Sequence, residues 1–452
     1  MYVWRLTKRK SCCTADHDEE ERARLEHSKK YEPHQSVRYL NAESVSASDK
    51  PLPMLYADRE NCCGCTACAE GCPANAIQML ADSEGFPYPV IDAKKCVRCG
   101  KCLQLCQLKK DQREKGYLQD ETPVPESAKK AQPACYAVKH KDFDTRMASR
   151  SGGIFTALSD LVLDDGGVVY GCVQTEKFLA KHIRAEEKAD RDKMRGSKYI
   201  QSDISGIFPQ VKADLEAGRT VLFSGTSCQV AGLKSYLQKP YDNLLTVDIV
   251  CHGVPSPLVW KEYLQWQTQK HNAICTAVDF RNKRDFGWKA HVETLTMKKP
   301  SGETITVNSD VYKKMFNGVY LSRPSCYKCP YKPTPHPSDI TIADYWGIQR
   351  IAPEFNDDKG VSLVLVNTDA GRTWLARAKD SIELLEEKLE DSLQPALKAP
   401  FDAPKDRTQF WEMFYGEPFE TLAKQYGGYG FVNAVKRKLG GWKRSLKKRL
   451  HL

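Results

Sequence analysis

At 452 residues the chain is longer than one ordinary domain and has room for two or three cores. No stretch approaches the apolar length of a membrane span, and the opening MYVWRLTKRKSCC lacks the apolar run of a secretory signal, so a cytoplasmic, reducing setting is expected. There the eighteen cysteines serve as thiols and metal ligands rather than disulfides. Of the net charge of +10, eight Lys or Arg lie unopposed in residues 436–452, which leaves +2 for the rest and no expectation of nucleic-acid binding.

Residues 1–53 are polar and without apolar periodicity and read as a disordered leader. A cysteine-punctuated module follows over 54–112. Cys62, Cys65, Cys68 and Cys72 follow C-x2-C-x2-C-x3-C spacing, and Cys96, Cys99, Cys102 and Cys106 repeat it. Three closely spaced thiolates seat three corners of a 4Fe-4S cube, and the fourth cysteine reaches across to the other cube. One site is therefore expected from Cys62, Cys65, Cys68 and Cys106, and the other from Cys96, Cys99, Cys102 and Cys72. The module resembles a bacterial two-cluster ferredoxin domain of small α+β fold. It departs at Gln107, where the first run has Pro73. Structural zinc pairs two C-x2-C knuckles and has no use for the third cysteine. Cys63 is left over as a small packed or exposed thiol, and Cys12 and Cys13 have no assigned role.

A Pro- and charge-rich linker is expected over 113–133, followed by an α/β domain over 134–400. Within it ACYAVKH, GVVYGCVQ, TVLFSG, LLTVDIVC and VSLVLVNT read as strands. GGIFTALSDLVLDDG, QVAGLKSYLQ, PLVWKEYLQWQTQ and AGRTWLARAKD read as helices, and AVDFRNK, KAHVETLTMKK and ETITVNS as an antiparallel insertion. Residues 401–452 read as a helical C-terminus. Its basic tail lines Val435, Leu439, Trp442, Leu446 and Leu450 along one face, suited either to an anionic membrane surface or acidic partner or to closing the domain.

Cys135, Cys172 and Cys275 lie in apolar strand-like runs, where a thiol packs as a small hydrophobe. Cys228 opens a helix after a strand, and Cys251 ends the next strand; both belong at the carboxyl edge of the sheet, where ligands gather. They are expected to join Cys326 and Cys329, which stand three positions apart, as a third four-thiolate site.

Ser151-Gly152-Gly153 with Thr156, Gly196-Ser197-Lys198-Tyr199, Gly225-Thr226, Cys251-His252-Gly253, Phe280-Arg281 and Asp344 with Trp346-Gly347 occur in order over about 135–350. Together with the Cys326/Cys329 pair they resemble the beta subunits of coenzyme factor-420 (deazaflavin) hydrogenases and dehydrogenases. Ser227 stands where that family commonly has proline. The resemblance implies FAD beside an iron-sulfur cluster. The residues accord with it: Ser151-Gly152-Gly153 ahead of a helix offers a hydroxyl cap and open backbone N–H groups for a pyrophosphate, and Gly225-Thr226 repeats the device. Lys198, Arg281 and Lys283 are expected as cationic contacts to phosphate or reduced flavin. His252 is expected either to donate a proton beside the cofactor or to hold a ligand in place.

The expected function is an iron-sulfur flavoprotein oxidoreductase passing electrons between a two-electron substrate, such as a deazaflavin, and a redox partner protein. The competing expectation is a polyferredoxin-like carrier or docking subunit with a structural zinc at Cys326 and Cys329.

Overall fold

A computed structural model describes residues 37–44, 50–109, 132–431 and 433. The basic tail, Cys12, Cys13 and nearly all of the linker lie outside the described residues. Three short strands make the first sheet: β1 (Arg38–Leu40), β2 (Ile77–Ala81) and β3 (Pro87–Asp92). β3 is central, antiparallel to β2 and parallel to β1. The leader expected to be structureless therefore contributes a strand, anchored by buried Val37. Helical turns α1 (Ala67–Glu70) and α2 (Lys101–Gln104) carry Cys68 and Cys102.

The main body is an eight-stranded mixed sheet. In chain order its strands are β4 (Ala134–His140), β5 (Val168–Gln174), β6 (Ala180–Ala185), β7 (Val221–Thr226) and β8 (Leu244–Ile249). After the separate antiparallel sheet of β9 (Ile274–Asp279), β10 (Glu293–Lys298) and β11 (Thr304–Ser309) come β12 (Ile340–Asp344), β13 (Ser362–Val366) and β14 (Ile382–Glu387). The spatial order is β14-β4-β13-β12-β8-β7-β5-β6. β12, β8, β7 and β5 pair in parallel, with antiparallel strands on both flanks. β6, β12 and β14 were not among the strands expected from sequence.

Helices α3 (Ile154–Asp164), α4 (Ile207–Glu216), α5 (Ser227–Leu237) and α6 (Pro257–His271) connect and cover these strands. Local chemistry sets their ends. Thr226 and Gln229 form a capping box at the start of α5. Ser256 caps α6 ahead of Pro257, and Asn272 closes it in the left-handed region. Helices α7 (Arg407–Gly416) and α8 (Phe419–Gln425) do not form a separate unit: Phe410, Trp411, Phe414 and Leu422 share a core with Trp260, Tyr263 and Met297. The boundary expected at residue 400 thus falls inside a packed body.

The cysteine-rich module is built into that body. Ala67 and Cys65 pack with Phe208, Val230 and Leu233 of α4 and α5. The Glu70 carboxylate accepts from the backbone N–H groups of Gly206 (2.7 Å) and Phe208 (3.2 Å), capping α4 from across the domain junction. Glu84, fully buried on the β2–β3 turn, binds Arg59 at 3.0 Å and also Arg407 of α7. Among the described residues no helix is long and apolar enough to cross a membrane.

Candidate functional site

The twelve ligand candidates fall into three groups. Cys62, Cys65, Cys68 and Cys106 line one small pocket and Cys72, Cys96, Cys99 and Cys102 another; burial pushes the Cys68 thiol well up, and Cys65, Cys62, Cys106 and Cys102 raise it further. Cys102 is pushed up to about 11 by burial and then by Cys72, Cys96 and Cys99. Cys326 reaches about 12 through burial and then Cys251, and Cys228 also acts on it. Cys329 is raised by burial and by Cys228, Cys326 and Cys251. Crowded thiols resist ionising together until metal charge neutralises them.

The third group is assembled by backbone. Cys228 opens α5 just beyond β7, and Thr226 Oγ1 lies 3.2 Å from its sulfur. The 251–255 loop leaves the carboxyl edge of β8. Its Val254 N–H donates to the Cys326 sulfur at 3.4 Å, and its carbonyl accepts from Arg323 N–H at 3.0 Å. Gly253, with φ of +146°, permits the approach, because a Cβ there would lie 2.8 Å from Ser322 Oγ. Among the described residues no three His, Cys, Asp or Glu side chains close on a point one metal ion would fill.

Buried cations beside these groups fit the cubes. Arg323 has no exposed surface, and its guanidinium donates to Cys62 O (2.8 Å), Gln201 Oε1 (3.1 Å), Pro87 O (3.0 Å) and the Cys62 sulfur (3.8 Å). It also stacks on Tyr88 at 4.0 Å. Lys332, nearly as buried, donates to Cys251 O. Neither forms a salt bridge with a carboxylate among the described residues, and a buried cation needs a negative partner. Thiolate-bound iron-sulfur cubes at these groups would supply that negative charge.

A cavity of about 520 Å³ opens at the carboxyl edges of β7, β8 and β12, with Cys251 in its wall. That size suits a large organic cofactor. Of the expected contacts, Ser151, Gly153, Gly196, Ser197, Lys198 and Tyr199 line it, as do Gly225, Thr226, His252 and Arg281. Gly152 and Thr156 support the wall from behind. The Gly152 N–H is taken by Ser362 Oγ at 2.9 Å, and a Cβ there would lie 2.1 Å from Val138 O. Thr156 Oγ1 accepts from Arg195 Nε at 3.1 Å and so holds that cation at the cavity.

Several expected roles change in detail. The Ser151 hydroxyl donates to Val361 O at 2.6 Å and does not cap α3; Gly153, with φ of +94°, begins that helix. Lys283 sits outside the cavity wall, and its Nζ donates to the carbonyls of Arg146 (2.6 Å), Lys359 (3.0 Å) and Ser151 (3.2 Å). It is a staple for the Ser151 loop, and its pKa falls to about 7 through burial and then Arg150. Lys198 spends Nζ on four carbonyls of residues 193–196, three at 3.0 Å and one at 3.1 Å, while burial lowers its pKa to about 8. Arg281 pairs with Asp344, faces the Trp346 ring at 5.1 Å, and leaves Nε without a partner among the described residues. Cys172 packs against the core as expected and also lies in the cavity wall.

His252 is held between Phe316 (4.7 Å) and Phe401 (4.3 Å). Burial, then Lys332, lowers its pKa to about 4, so it is neutral at pH 7, and its Nε2 has no partner among the described residues. Arg195, Arg150, His182 and His291 are among the cavity residues that the sequence expectations missed. Arg150 is pushed down to about 10 by burial and then Arg281, His182 to about 4 by burial, and His291 to about 2 by burial and then Arg281. A charged residue beside Ser151-Gly152-Gly153 was the available signal for Arg150; isolated histidines in strands and loops gave none. Among the described residues, Arg150 Nε and His182 Nδ1 are also without partners. The cationic arginines of this wall, with the open Nε–H groups of Arg150 and Arg281, suit an anionic ligand bearing phosphate and ring acceptors, while neutral His182, whose Nε2–H donates to Ser224 O, offers Nδ1 as an acceptor.

Residues 61–109 match the 4Fe-4S dicluster domain, and residues 218–392 match the family described as the C terminus of the coenzyme F420 hydrogenase/dehydrogenase beta subunit. The chain thus carries a 4Fe-4S dicluster match ahead of a region similar to the C-terminal domain of that beta-subunit family. The solved F420-reducing [NiFe] hydrogenase complex from Methanosarcina barkeri, a xenon derivative, contains a chain that is 16% identical. The match covers 68% of this chain and 97% of that one at a TM-score of 0.40. Comparison with curated proteins gives no match. The beta-subunit match includes Cys228, Cys251, Cys326 and Cys329 but begins beyond Ser151 and Lys198, whose place at the cavity comes from the fold.

Proposed function

We propose that the chain is an iron-sulfur flavoprotein oxidoreductase that exchanges a hydride with an organic two-electron substrate, a deazaflavin being the class the family suggests, and passes electrons to or from a protein partner. The observation that carries this is Cys251, which belongs to the third thiolate group and lines the 520 Å³ cavity. Bound there, FAD would interconvert a hydride with two single electrons, and the 4Fe-4S cubes would carry those electrons one at a time.

The residues divide the work by position. Arg150, Arg195 and Arg281 give the cavity its positive charge, and the Gly153 and Gly225 turns bring backbone close to a ligand. Neutral His252 presents an unpartnered ring nitrogen beside Cys251, suited to hold a hydrogen bond to a bound ring system. Phe316 and Phe401, packed against that imidazole, exclude water from it. Arg323 and Lys332 offset the negative charge of the cubes. The same arrangement serves oxidation or reduction of the organic substrate.

Anaerobic addition of reduced deazaflavin, and separately reduced nicotinamide, to the full-length protein tests this reading. The flavin band should bleach first and the broad iron-sulfur absorbance should follow. A protein whose cluster bands respond to dithionite, but whose spectrum shows no flavin to bleach, is an electron carrier.

A further inference from the structure

Cys63 lies outside all three ligand groups, yet it sits where two of them meet. Its thiol is within hydrogen-bond reach of the sulfurs of both Cys65, in the first group, and Cys228, in the third. Gln107, which replaces the proline of the first cysteine run, faces the same point. Its Nε2 lies 3.1 Å from the Cys63 sulfur and 2.6 Å from Cys228 O, and it also reaches the Cys65 sulfur. The Tyr331 hydroxyl bonds Gln107 Oε1, which turns the amide nitrogen toward the sulfurs. Gln107 is buried, so no competing water is needed to explain its orientation. Two residues that the cysteine spacing leaves without a purpose therefore form one hydrogen-bonded junction between two cluster sites.

We propose that Cys63 and Gln107 are positioning residues, the single Cys63 S–H shared between the Cys65 and Cys228 sulfurs and the Gln107 amide bonded to Cys63, Cys65 and the Cys228 carbonyl, so that the reduction potentials of the first and third clusters are set together. Hydrogen bonds to cluster sulfurs stabilise the more negative, reduced state and raise the potential. One donor group shared by two sites moves both in the same sense. The second site, made by Cys72, Cys96, Cys99 and Cys102, lines a separate pocket from the one Cys63 enters and is an internal reference. The proposal rests on the third site holding a cluster, as the proposed function requires.

Redox titration of the anaerobically purified full-length protein, followed by EPR, tests it in Cys63→Ala and Cys63→Ser. In C63A the first and third clusters should both become harder to reduce, the second should stay where it was, and iron content should match the parent. In C63S, where a hydroxyl restores a donor, both potentials should return toward the parent values. Potentials unmoved in C63A, or a shift confined to one cluster, overturn the proposal. Loss of about four irons per chain in C63S would make Cys63 a ligand and also overturn it. If the parent protein itself holds only about eight irons, the third cluster is absent and the functional reading fails first; about twelve irons with unmoved potentials sinks the shared junction alone.

Discussion

Gly232 of α5 stands directly against Cys65: a Cβ built on it would lie 2.7 Å from Cys65 Cβ and 3.0 Å from its sulfur. The helix that begins at Cys228 is thus pressed onto a ligand of the neighbouring site, and only a missing side chain allows it. Gly232→Val should drive the dicluster module off α5 while leaving both of its cysteine runs intact. About eight irons should remain in the module, and reduction of its clusters from the cavity side should slow by at least tenfold in rapid-mixing spectroscopy. A rate unchanged from the parent would place the path between domains elsewhere.

Glu84 ties the same two parts together at a second point. It is fully buried, holds Arg59 at 3.0 Å, and accepts from Arg407 Nη1 at 2.8 Å. Removing a carboxylate that pairs two cations in a dry site leaves them uncompensated, at a cost of roughly 3–5 kcal/mol. Glu84→Ala should therefore lower the thermal midpoint by several degrees in differential scanning calorimetry, whereas a change of under one degree would show the pair to be dispensable.

Much of this was legible in the sequence, and what was not has particular causes. The eight module cysteines are readable because cluster ligation fixes their spacing. Cys228 and Cys251 follow from strand-to-helix turns at one sheet edge. β6 and β14 escaped because AKHIRA and IELLEE carry charges on a half-exposed pattern, and β12 because ITIAD is short. Lys283 looked like a phosphate contact, but burial and three backbone carbonyls claim its ammonium, a partnership that spacing along a chain does not encode. Cys63 and Gln107 look idle in one dimension because their partners, Cys228 and Tyr331, are more than a hundred residues away.

His182 gives the protein a calculable acid sensitivity. Buried in β6 with Nε2 at 3.0 Å from Ser224 O, its pKa is pushed down to about 4 from 6.5. Because the unfolded chain takes the proton first, its contribution is fully present above pH 6.5 and is lost as pH falls through that value toward 4. At about 1.4 kcal/mol per unit, the loss across the window is roughly 3 kcal/mol. His182→Gln should flatten the decline of the thermal midpoint between pH 7 and 5 relative to the parent; parallel curves would remove His182 from the acid response.

The third thiolate group can be separated from the first two. Cys326→Ala removes a sulfur that also accepts the Val254 N–H, so about four irons should be lost and about eight retained. The EPR signals of the reduced dicluster module should persist. Unchanged iron with released zinc would identify the group as a zinc site.

The most direct measurement is the metal and flavin content of the full-length protein, purified without exposure to air. Three cubes and one loaded cavity require about twelve irons, about twelve acid-labile sulfides and about one flavin per chain. About eight irons, with zinc and no flavin, would contradict the three-cluster flavoprotein and leave a two-cluster electron carrier.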